Sequence, residues 1–276
     1  MAARLTCYPT VGKKKAGRIC EAFALGCDGR VAVSDTPILH DGPAFFYGWT
    51  HYTWPLMRQC ISEGREWYYA DNAYYFGRPR LFRVTRGALM HDGSGQAVAR
   101  ANVVQPRVRP WRQDGRHIIL ATQSEAFYSL RMGQSRAEWT AAIVARLKQH
   151  TDRPIKACHK PDTWGGKPHP HLNFEAILPG AWSVVSHSSS VMVKALCDGV
   201  PVFSTAPSMA SRMGLSDLSM IETPAYPDGR EQWIANLMAN QWSQDEMKSG
   251  QCWRDLQSQE PVSLDLARTL APAVAA

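Results

Sequence analysis

The clearest pattern along the chain lies between residues 181 and 205, where apolar and polar stretches alternate. Its parts are an apolar run, a serine-rich corner, an apolar stretch with helical spacing, an Asp-Gly pair and a second apolar run: Trp182–Val185, Ser186–Ser190, Val191–Cys197, Asp198–Gly199 and Val200–Phe203. Glycine directly after a helical stretch is typical of a helix end. The pattern therefore predicts a strand, a turn, a helix and a second strand.

The serine-rich corner favours an anion-binding role. A helix that follows a strand in such a unit starts at the carboxyl edge of the sheet, and its first N–H groups have no partner within the helix. These groups and the helix dipole attract phosphate, and the hydroxyls of Ser188, Ser189 and Ser190 add donors at the same place. An ordinary helix corner capped by a serine is the alternative interpretation.

Short apolar runs alternate with helical spacings over most of the chain. The predicted strands are 4–8, 31–33, 45–48, 66–71, 81–85, 117–122, 154–157, 182–185 and 200–203. The predicted helices are 16–25, 54–63, 135–150, 174–178, 191–197, 229–240 and 245–256. Strands that alternate with helices are typical of parallel sheets, so the fold class is α/β.

A break in this pattern predicts two domains. The segment Pro106–Gly115 contains two prolines, a glycine and several polar residues, and the alternation restarts after it. We expect two Rossmann-like domains, 1–112 and 113–276, that face a central cleft, with the C-terminal helices in the second domain. Ligands of such sheets bind beyond the carboxyl ends of the strands.

Composition narrows the class of protein. Hydrophobic residues make up 45% of the chain and charged residues 20%, which is typical of a globular protein. The seven cysteines include no CxxC pair, so we expect reduced thiols and a cytoplasmic location. No apolar stretch reaches the roughly 20 residues that cross a bilayer, and the N-terminus lacks a signal-peptide core. We therefore expect no membrane partner.

The net charge of +7 is distributed unevenly. Residues 1–112 contain 16 Lys and Arg against 8 Asp and Glu, whereas residues 113–276 contain 15 against 16. Eight arginines and one acidic residue fall between Arg78 and Arg112. This bias favours a polyanionic partner, and a solvated basic surface without a partner is the alternative. The residues predicted to contact such a partner are Lys13, Lys14, Arg78, Arg80, Arg83 and Arg86.

Two segments resemble a known family. They are SVVSHSSSVMVKALCDGVPVF and the upstream KACHKPD, which are similar to the donor-binding half of glycosyltransferases of the two-Rossmann GT-B type. The resemblance implies that the second domain binds a nucleotide-sugar diphosphate and the first domain binds the acceptor. One departure is Lys194, because many members carry a glutamate near this position that holds the donor ribose.

The resemblance and the strand ends together give a predicted donor site. We assign donor binding to Gly12, Ser124, Arg131, His159, Lys160, His187, Ser188, Ser189 and Ser190. Lys160, His187 and Arg131 are the expected charge partners of the diphosphate, and we expect no metal. The alternatives are a surface lysine, a packed histidine and a structural ion pair, respectively.

Sugar transfer also needs a base that removes the proton of the acceptor hydroxyl. We predict Asp71, which follows a strand and lies among aromatic residues whose burial would raise a carboxyl pKa. Asp35, at the end of the second predicted strand, is the rival, and His51 is a third choice. A simple turn at Asp71-Asn72 is the alternative.

These observations lead to one function and two rivals. At 276 residues the chain is short for this fold, and compact members are similar to phage enzymes that glycosylate 5-hydroxymethylpyrimidines in DNA. The first prediction is therefore transfer of a sugar from a UDP-sugar, such as UDP-glucose, to 5-hydroxymethylcytosine in DNA. The rivals are a GT-B transferase acting on a cell-envelope glycan and a nucleic-acid-binding accessory protein with a degenerate sugar-nucleotide site.

Overall fold

The structure, a computed structural model, describes residues 4–36, 38–75, 81–95, 100, 103, 105–159 and 173–261. The strands of these residues are β1 (Thr6–Tyr8), β2 (Arg30–Val31), β3 (Ala44–Tyr47), β4 (Trp67–Asn72), β5 (Phe82–Arg86), β6 (His117–Thr122), β7 (Ile155–His159), β8 (Ala181–Ser186), β9 (Val202–Ser204) and β10 (Gln241–Trp242). The helices are α1 (Lys14–Gly26), α2 (Thr53–Ser62), α3 (Glu125–Met132), α4 (Arg136–Leu147), α5 (Phe174–Ile177), α6 (Val191–Cys197), α7 (Arg230–Ala239), α8 (Gln244–Lys248) and α9 (Gln251–Gln257).

The chain forms two compact α/β units, which confirms the expected fold class. The first unit contains Met1–His91 together with Met238–Ser263, and the second contains Val103–Leu237. The division differs from the boundary expected at residue 112, because the segment Met238–Ser263 joins the first unit. No helix of the described residues is long and apolar enough to cross a membrane.

The first unit is built on a six-stranded sheet with the order β10-β5-β4-β3-β1-β2. Strands β1 to β4 pair in parallel, whereas β5 is antiparallel to both β4 and β10. The expectation of purely parallel sheets is therefore wrong for this unit. Nine residues separate β4 from β5, which is fewer than a parallel crossover needs.

The C-terminal segment completes the core of the first unit. Helices α8 and α9 pack against α1, and Trp242 of β10 is fully buried and donates a hydrogen bond to Asp255 over 3.1 Å. A Cβ at Gly26 would lie 1.8 Å from the carbonyl oxygen of Met247, so the approach of α1 to α8 requires glycine. The single helix predicted at 245–256 is broken at Gly250, which has a φ of +76°.

The second unit is built on a four-stranded parallel sheet with the order β7-β6-β8-β9. Its helix α4 begins with the predicted capping box, because Ser135 and Glu138 exchange side-chain and backbone hydrogen bonds. Helix α6 has its predicted bounds and ends before Gly199, which has a φ of +78°. A Cβ there would lie 2.0 Å from the carbonyl oxygen of Pro110. Local sequence signals therefore fix the start of α4 and the end of α6.

Candidate functional site

Four parallel strands of the second unit end at one edge of their sheet. The last residues of β6, β7, β8 and β9 are Thr122, His159, Ser186 and Ser204, and all of them are polar. The Thr122 hydroxyl lies 2.9 Å from Nδ1 of His159, and the Ser186 hydroxyl donates to the carbonyl of Ala121 over 2.7 Å. The carboxyl edge of this sheet is thus a continuous polar surface.

Hydroxyl groups at the end of β9 extend this surface. The Ser204 hydroxyl lies 2.9 Å from the His187 carbonyl oxygen and 2.6 Å from that of Ala206. It also lies 2.9 Å from the hydroxyl of Ser208, which accepts a hydrogen bond from the Ala210 N–H. Sequence analysis did not assign Ser204 or Ser208, although the polar pair Ser204-Thr205 after an apolar run was a signal for the first of them.

His187 is a deeply buried polar group of this edge. It is 1% exposed, its Nδ1 lies 3.1 Å from the Ser188 hydroxyl, and the amide of Gln123 donates to the same hydroxyl over 3.0 Å. Burial, and secondarily the charge of Arg131, lowers the pKa of His187 to about 3. The imidazole is therefore neutral at neutral pH, so the expectation that it supplies positive charge is wrong. It acts through hydrogen bonds instead.

Arg131 belongs to the same edge through an aromatic contact. Its side chain is 8% exposed, and its guanidinium carbon lies 5.1 Å from the centre of the Phe127 ring. Phe127 in turn meets the His187 ring edge-on, with the ring centres 5.3 Å apart. The charge of Arg131 also contributes to the lowered pKa of His187, so this cation lies near the imidazole.

Two buried polar atoms at this edge have no hydrogen-bond partner within the described ranges. They are Oε1 of Gln123, which follows β6, and Oγ1 of Thr205, which follows β9. Buried polar groups are normally paired, and an amide oxygen accepts hydrogen bonds. Both atoms lie where ligands of parallel α/β sheets bind. A polar ligand at this edge would satisfy them.

The predicted serines surround the starts of two helices. Ser124 precedes α3 and Ser190 precedes α6, and neither side chain caps its helix. Ser188 is buried, Ser189 and Ser190 are half-buried, and the Ser189 hydroxyl lies 3.5 Å from the Val191 nitrogen. The hydroxyls of Ser124 and Ser190 are therefore not consumed by capping. Lys160 lies outside the described residues.

The carboxylate of the predicted base Asp71 accepts hydrogen bonds from three neighbouring groups. Its Oδ2 accepts from the Arg83 guanidinium over 3.0 Å and from the Tyr69 hydroxyl over 3.1 Å, while Oδ1 accepts from the Asn72 N–H over 2.7 Å. Arg83 itself is only 11% exposed. The expectation that Arg83 faces DNA is therefore wrong, because the guanidinium is largely buried and its charge is compensated by the Asp71 carboxylate. Asp35 is exposed on the segment after β2.

The arginine-rich segment does not form one cationic face. Several of its members lie in ion pairs: Arg83 with Asp71, Arg86 with Glu66, Arg100 with Glu246, Arg109 with Asp198, and Arg112 with Asp114. Acidic side chains therefore balance part of the charge excess of the segment among the described residues. Arg78 and Arg80 lie outside the described residues.

The remaining predicted residues lie at the start of α1 in the first unit. Gly12 has a φ of +72°, and no atom lies within 4 Å of a Cβ built there. Lys13 and Lys14 are exposed. Sequence analysis missed Lys15, whose ammonium bonds the side-chain oxygen of Asn72 and lies 5.4 Å and 5.1 Å from the ring centres of Tyr47 and Phe82.

Comparison with known proteins gives a fold relationship. No protein-family model and no curated protein sequence matches the chain. Among solved structures, Thermosulfurimonas dismutans KpsC, a beta Kdo 2,7 transferase, has a TM-score of 0.52 at 15% identity and covers 85% of this chain and 89% of its own. The beta Kdo 2,4 transferase of the same KpsC has a TM-score of 0.48 at 11% identity, with coverages of 85% and 90%.

The likeness to the 2,7 transferase shows the fold. The two α/β units share their fold with this structure, in agreement with the expected α/β fold class. The comparison gives no support to the expected likeness to phage DNA-modifying enzymes, since the 2,7 transferase is named for Kdo.

Proposed function

We propose that this protein is a glycosyltransferase that moves a sugar from a nucleotide-activated donor to a glycan acceptor. The carrying observation is the polar carboxyl edge of the second sheet, where the buried atoms Gln123 Oε1 and Thr205 Oγ1 have no partner in the described part of the chain. The structural similarity to a Kdo transferase supports sugar transfer as the reaction at this edge. We propose UDP-sugars as the first donor class to test, as expected from the sequence.

The proposed reaction needs stabilisation of a growing negative charge. The acceptor oxygen attacks the anomeric carbon, the bond from that carbon to the donor phosphate breaks, and the phosphate oxygen takes up the charge while the acceptor proton passes to a base. The hydroxyls of Ser124, Ser189 and Ser190, which lie beside the starts of α3 and α6, are the groups of this edge that stabilise such an oxygen. The neutral His187 orients Ser188 for the same purpose.

The structure favours a glycan over DNA as the proposed acceptor. DNA was expected because of the arginine excess, and Arg83, Arg86 and Arg100 are now accounted for by ion pairs with acidic residues. The structurally similar 2,7 transferase is named for Kdo, a sugar, and a cell-envelope glycan was the rival acceptor class from the sequence. The roles of Asp71 and Asp35 as base remain predictions, and Asp71 would first have to exchange its contact with Arg83.

The donor half of the proposal is tested by nucleotide binding. We expect UDP to raise the melting temperature of the full chain, and Ser188→Ala to weaken UDP binding by about tenfold, because a hydrogen-bonding group is lost. Gln123→Leu removes the unpartnered oxygen and is expected to weaken the same binding. The matched control is Ser129→Ala, an exposed serine of α3. Absence of stabilisation by any nucleotide or nucleotide-sugar would disprove this half.

The acceptor half is tested by product analysis. The purified chain is incubated with labelled UDP-glucose or with the nucleotide-activated form of Kdo, in parallel with envelope glycan fragments and with hydroxymethylcytosine DNA. We expect label in the glycan. Label in the DNA alone would refute the glycan acceptor while leaving the transferase activity standing.

A further inference from the structure

Three neighbouring loops leave one edge of the first sheet. Strands β3, β1 and β2 are adjacent and parallel, so the segments after them, 48–52, 9–13 and 32–43, emerge side by side. The hydroxyls of Thr10 and Thr50 lie 3.0 Å apart, which joins two of these loops directly. This carboxyl edge of the first sheet, formed by the three loops, is called the loop edge below.

The loop edge exposes aliphatic side chains to water. Val33 is 69% exposed, Ile38 is 67% exposed and Val11 is 38% exposed. Among the residues that the structure describes, the other large apolar side chains of comparable exposure are Leu25 and Met220, which lie elsewhere. Single exposed aliphatic residues are common, whereas their convergence on one edge indicates an interaction surface.

The loop that carries Val33 and Ile38 is held in place. The Tyr8 hydroxyl accepts a hydrogen bond from the His40 N–H over 2.8 Å, and the two rings stack with their centres 6.3 Å apart. Ser34 bonds the backbone of Thr36 in both directions. The loop is thus anchored to β1 near one end while its aliphatic side chains point away from the core, so their exposure is part of the fold.

Exposed cations follow one of the three loops, at the start of α1. Lys13, Lys14 and Arg18 are exposed on the first turns of α1, whose first turn contains no acidic residue. Basic side chains at a helix start are unfavourable because the helix dipole is positive there, and a negatively charged surface would remove that penalty. The acidic residues of the neighbouring loop are Asp35 and Asp41, and Asp41 lies 4.0 Å from Arg65.

A tryptophan pair completes the surface. Trp49 and Trp54 stack with ring centres 4.0 Å apart, both are half-buried, and the Arg58 guanidinium lies 5.7 Å from the Trp54 ring. Tryptophan and arginine together are typical of side chains at a membrane–water interface, where one end is apolar and the other hydrated.

We propose that the loop edge docks on an anionic lipid bilayer. Val33 and Ile38 enter the boundary between headgroups and acyl chains, and Lys13, Lys14 and Arg18 face the anionic headgroups. Charge complementarity and exposed aliphatic groups are the two requirements for reversible binding to such a surface, and both are present at this edge. The sequence analysis expected no membrane partner because it searched for one long apolar segment, whereas this surface is spread over three loops.

The proposal is tested by sedimentation with lipid vesicles, which requires no enzymatic activity. The full chain is mixed with phosphatidylcholine vesicles that contain or lack phosphatidylglycerol, at low and high salt. We expect binding to the anionic vesicles that decreases with salt. Val33→Ser with Ile38→Ser should reduce partitioning by about tenfold, since two aliphatic groups no longer insert. Lys14→Glu should reduce it by at least roughly fivefold, the effect of one cation near the surface.

Two matched controls separate the loop edge from general effects. Leu25→Ser changes an aliphatic residue that is 70% exposed at the far end of α1, and Lys148→Glu makes the same charge change on the second unit. Both should bind vesicles like the parent chain. Equal binding to neutral vesicles, or equal losses in the control variants, would overturn the proposal.

The other possible occupants of the loop edge give different results. If a second copy covers this edge, the parent chain will sediment as a dimer in analytical ultracentrifugation and Val33→Ser with Ile38→Ser will make it monomeric. If the edge binds the acceptor glycan, the same variant will raise the acceptor KM without any vesicle binding by the parent. Either outcome overturns the bilayer proposal and leaves the proposed transferase function intact.

Discussion

The carboxyl edges of the two sheets differ in the polar interactions that stabilise them. At the second sheet, His187, Ser188 and Gln123 are connected by hydrogen bonds between neutral groups. At the first sheet, Asp71 and Arg83 form an ion pair in which the guanidinium is 11% exposed. A negatively charged ligand at the second edge therefore meets hydroxyl and amide dipoles and the cation Arg131, whereas the charges of the first edge near β4 are already balanced. The difference places the donor at the second edge in our proposal.

Among the substitutions at the two edges, removal of Arg83 should have the largest effect on the free energy of unfolding. We expect Arg83→Met to lower the free energy of unfolding by about 3 kcal/mol, because it leaves the partly buried Asp71 carboxylate without its cation. Urea denaturation measures the change. The double variant Arg83→Met with Asp71→Asn should recover more than half of the loss, and equal stabilities of the single and double variants would contradict the ion-pair interpretation.

The buried imidazole of the second edge predicts a pH dependence. The pKa of His187 is lowered from 6.5 to about 3, so below pH 6.5 the unfolded chain binds a proton that the folded chain does not. Stability is thus lost as pH falls from 6.5 towards 3, by about 2 kcal/mol at roughly pH 5. Urea denaturation of His187→Asn, which cannot titrate, should show a decrease smaller by that amount. If the parent chain and His187→Asn lose the same free energy of unfolding between about pH 7.5 and pH 5, His187 is not held neutral.

A single hydroxyl of the second edge should have a smaller effect. Ser204→Ala removes a buried hydroxyl. This hydroxyl contacts the Ser208 hydroxyl and the carbonyl oxygens of His187 and Ala206. We expect a loss of about 1.5 kcal/mol in urea denaturation, since the Ser208 hydroxyl loses a partner. Ser129→Ala, at an exposed position, is the control and should be near neutral.

The surface ion pair of the first unit should have the smallest effect. Arg86 and Glu66 are 27% and 36% exposed, so their attraction is screened by water. We expect Arg86→Ala to cost about 0.5 kcal/mol, and less at high salt. A cost as large as that of Arg83→Met would mean that exposure does not separate the two ion pairs.

Local signals predicted the second unit well. Strand β6 occupies its predicted residues 117–122, and α6 occupies 191–197. Helix α3 was not predicted, although two signals of its ends were present. Ser124 precedes it, and Gly133, with a φ of +62°, follows it. The apolar spacing inside α3 is short, and only its packing makes the helix evident: Tyr128 and Met132 are buried in the core.

The candidate site was predicted in part. Periodicity located the strand ends, and parallel pairing then brings His187, Ser188 and Gln123 together at one edge. The neutrality of His187 and the pairing of Arg83 with Asp71 depend on burial and on distant neighbours, which the order of residues does not display. The same holds for the loop edge, where residues from three separate segments meet.

The amino-acid sequence by itself determined the fold class, most helix and strand positions and the polar corner after β8. Periodicity, capping residues and glycine placement act over a few neighbouring residues, so they can be read along the chain. The tertiary structure alone decided that Met238–Ser263 joins the first unit and that Arg100 pairs with Glu246, far away in sequence. Charge is compensated through space, because Coulomb attraction depends on the distance between groups and not on their separation along the chain.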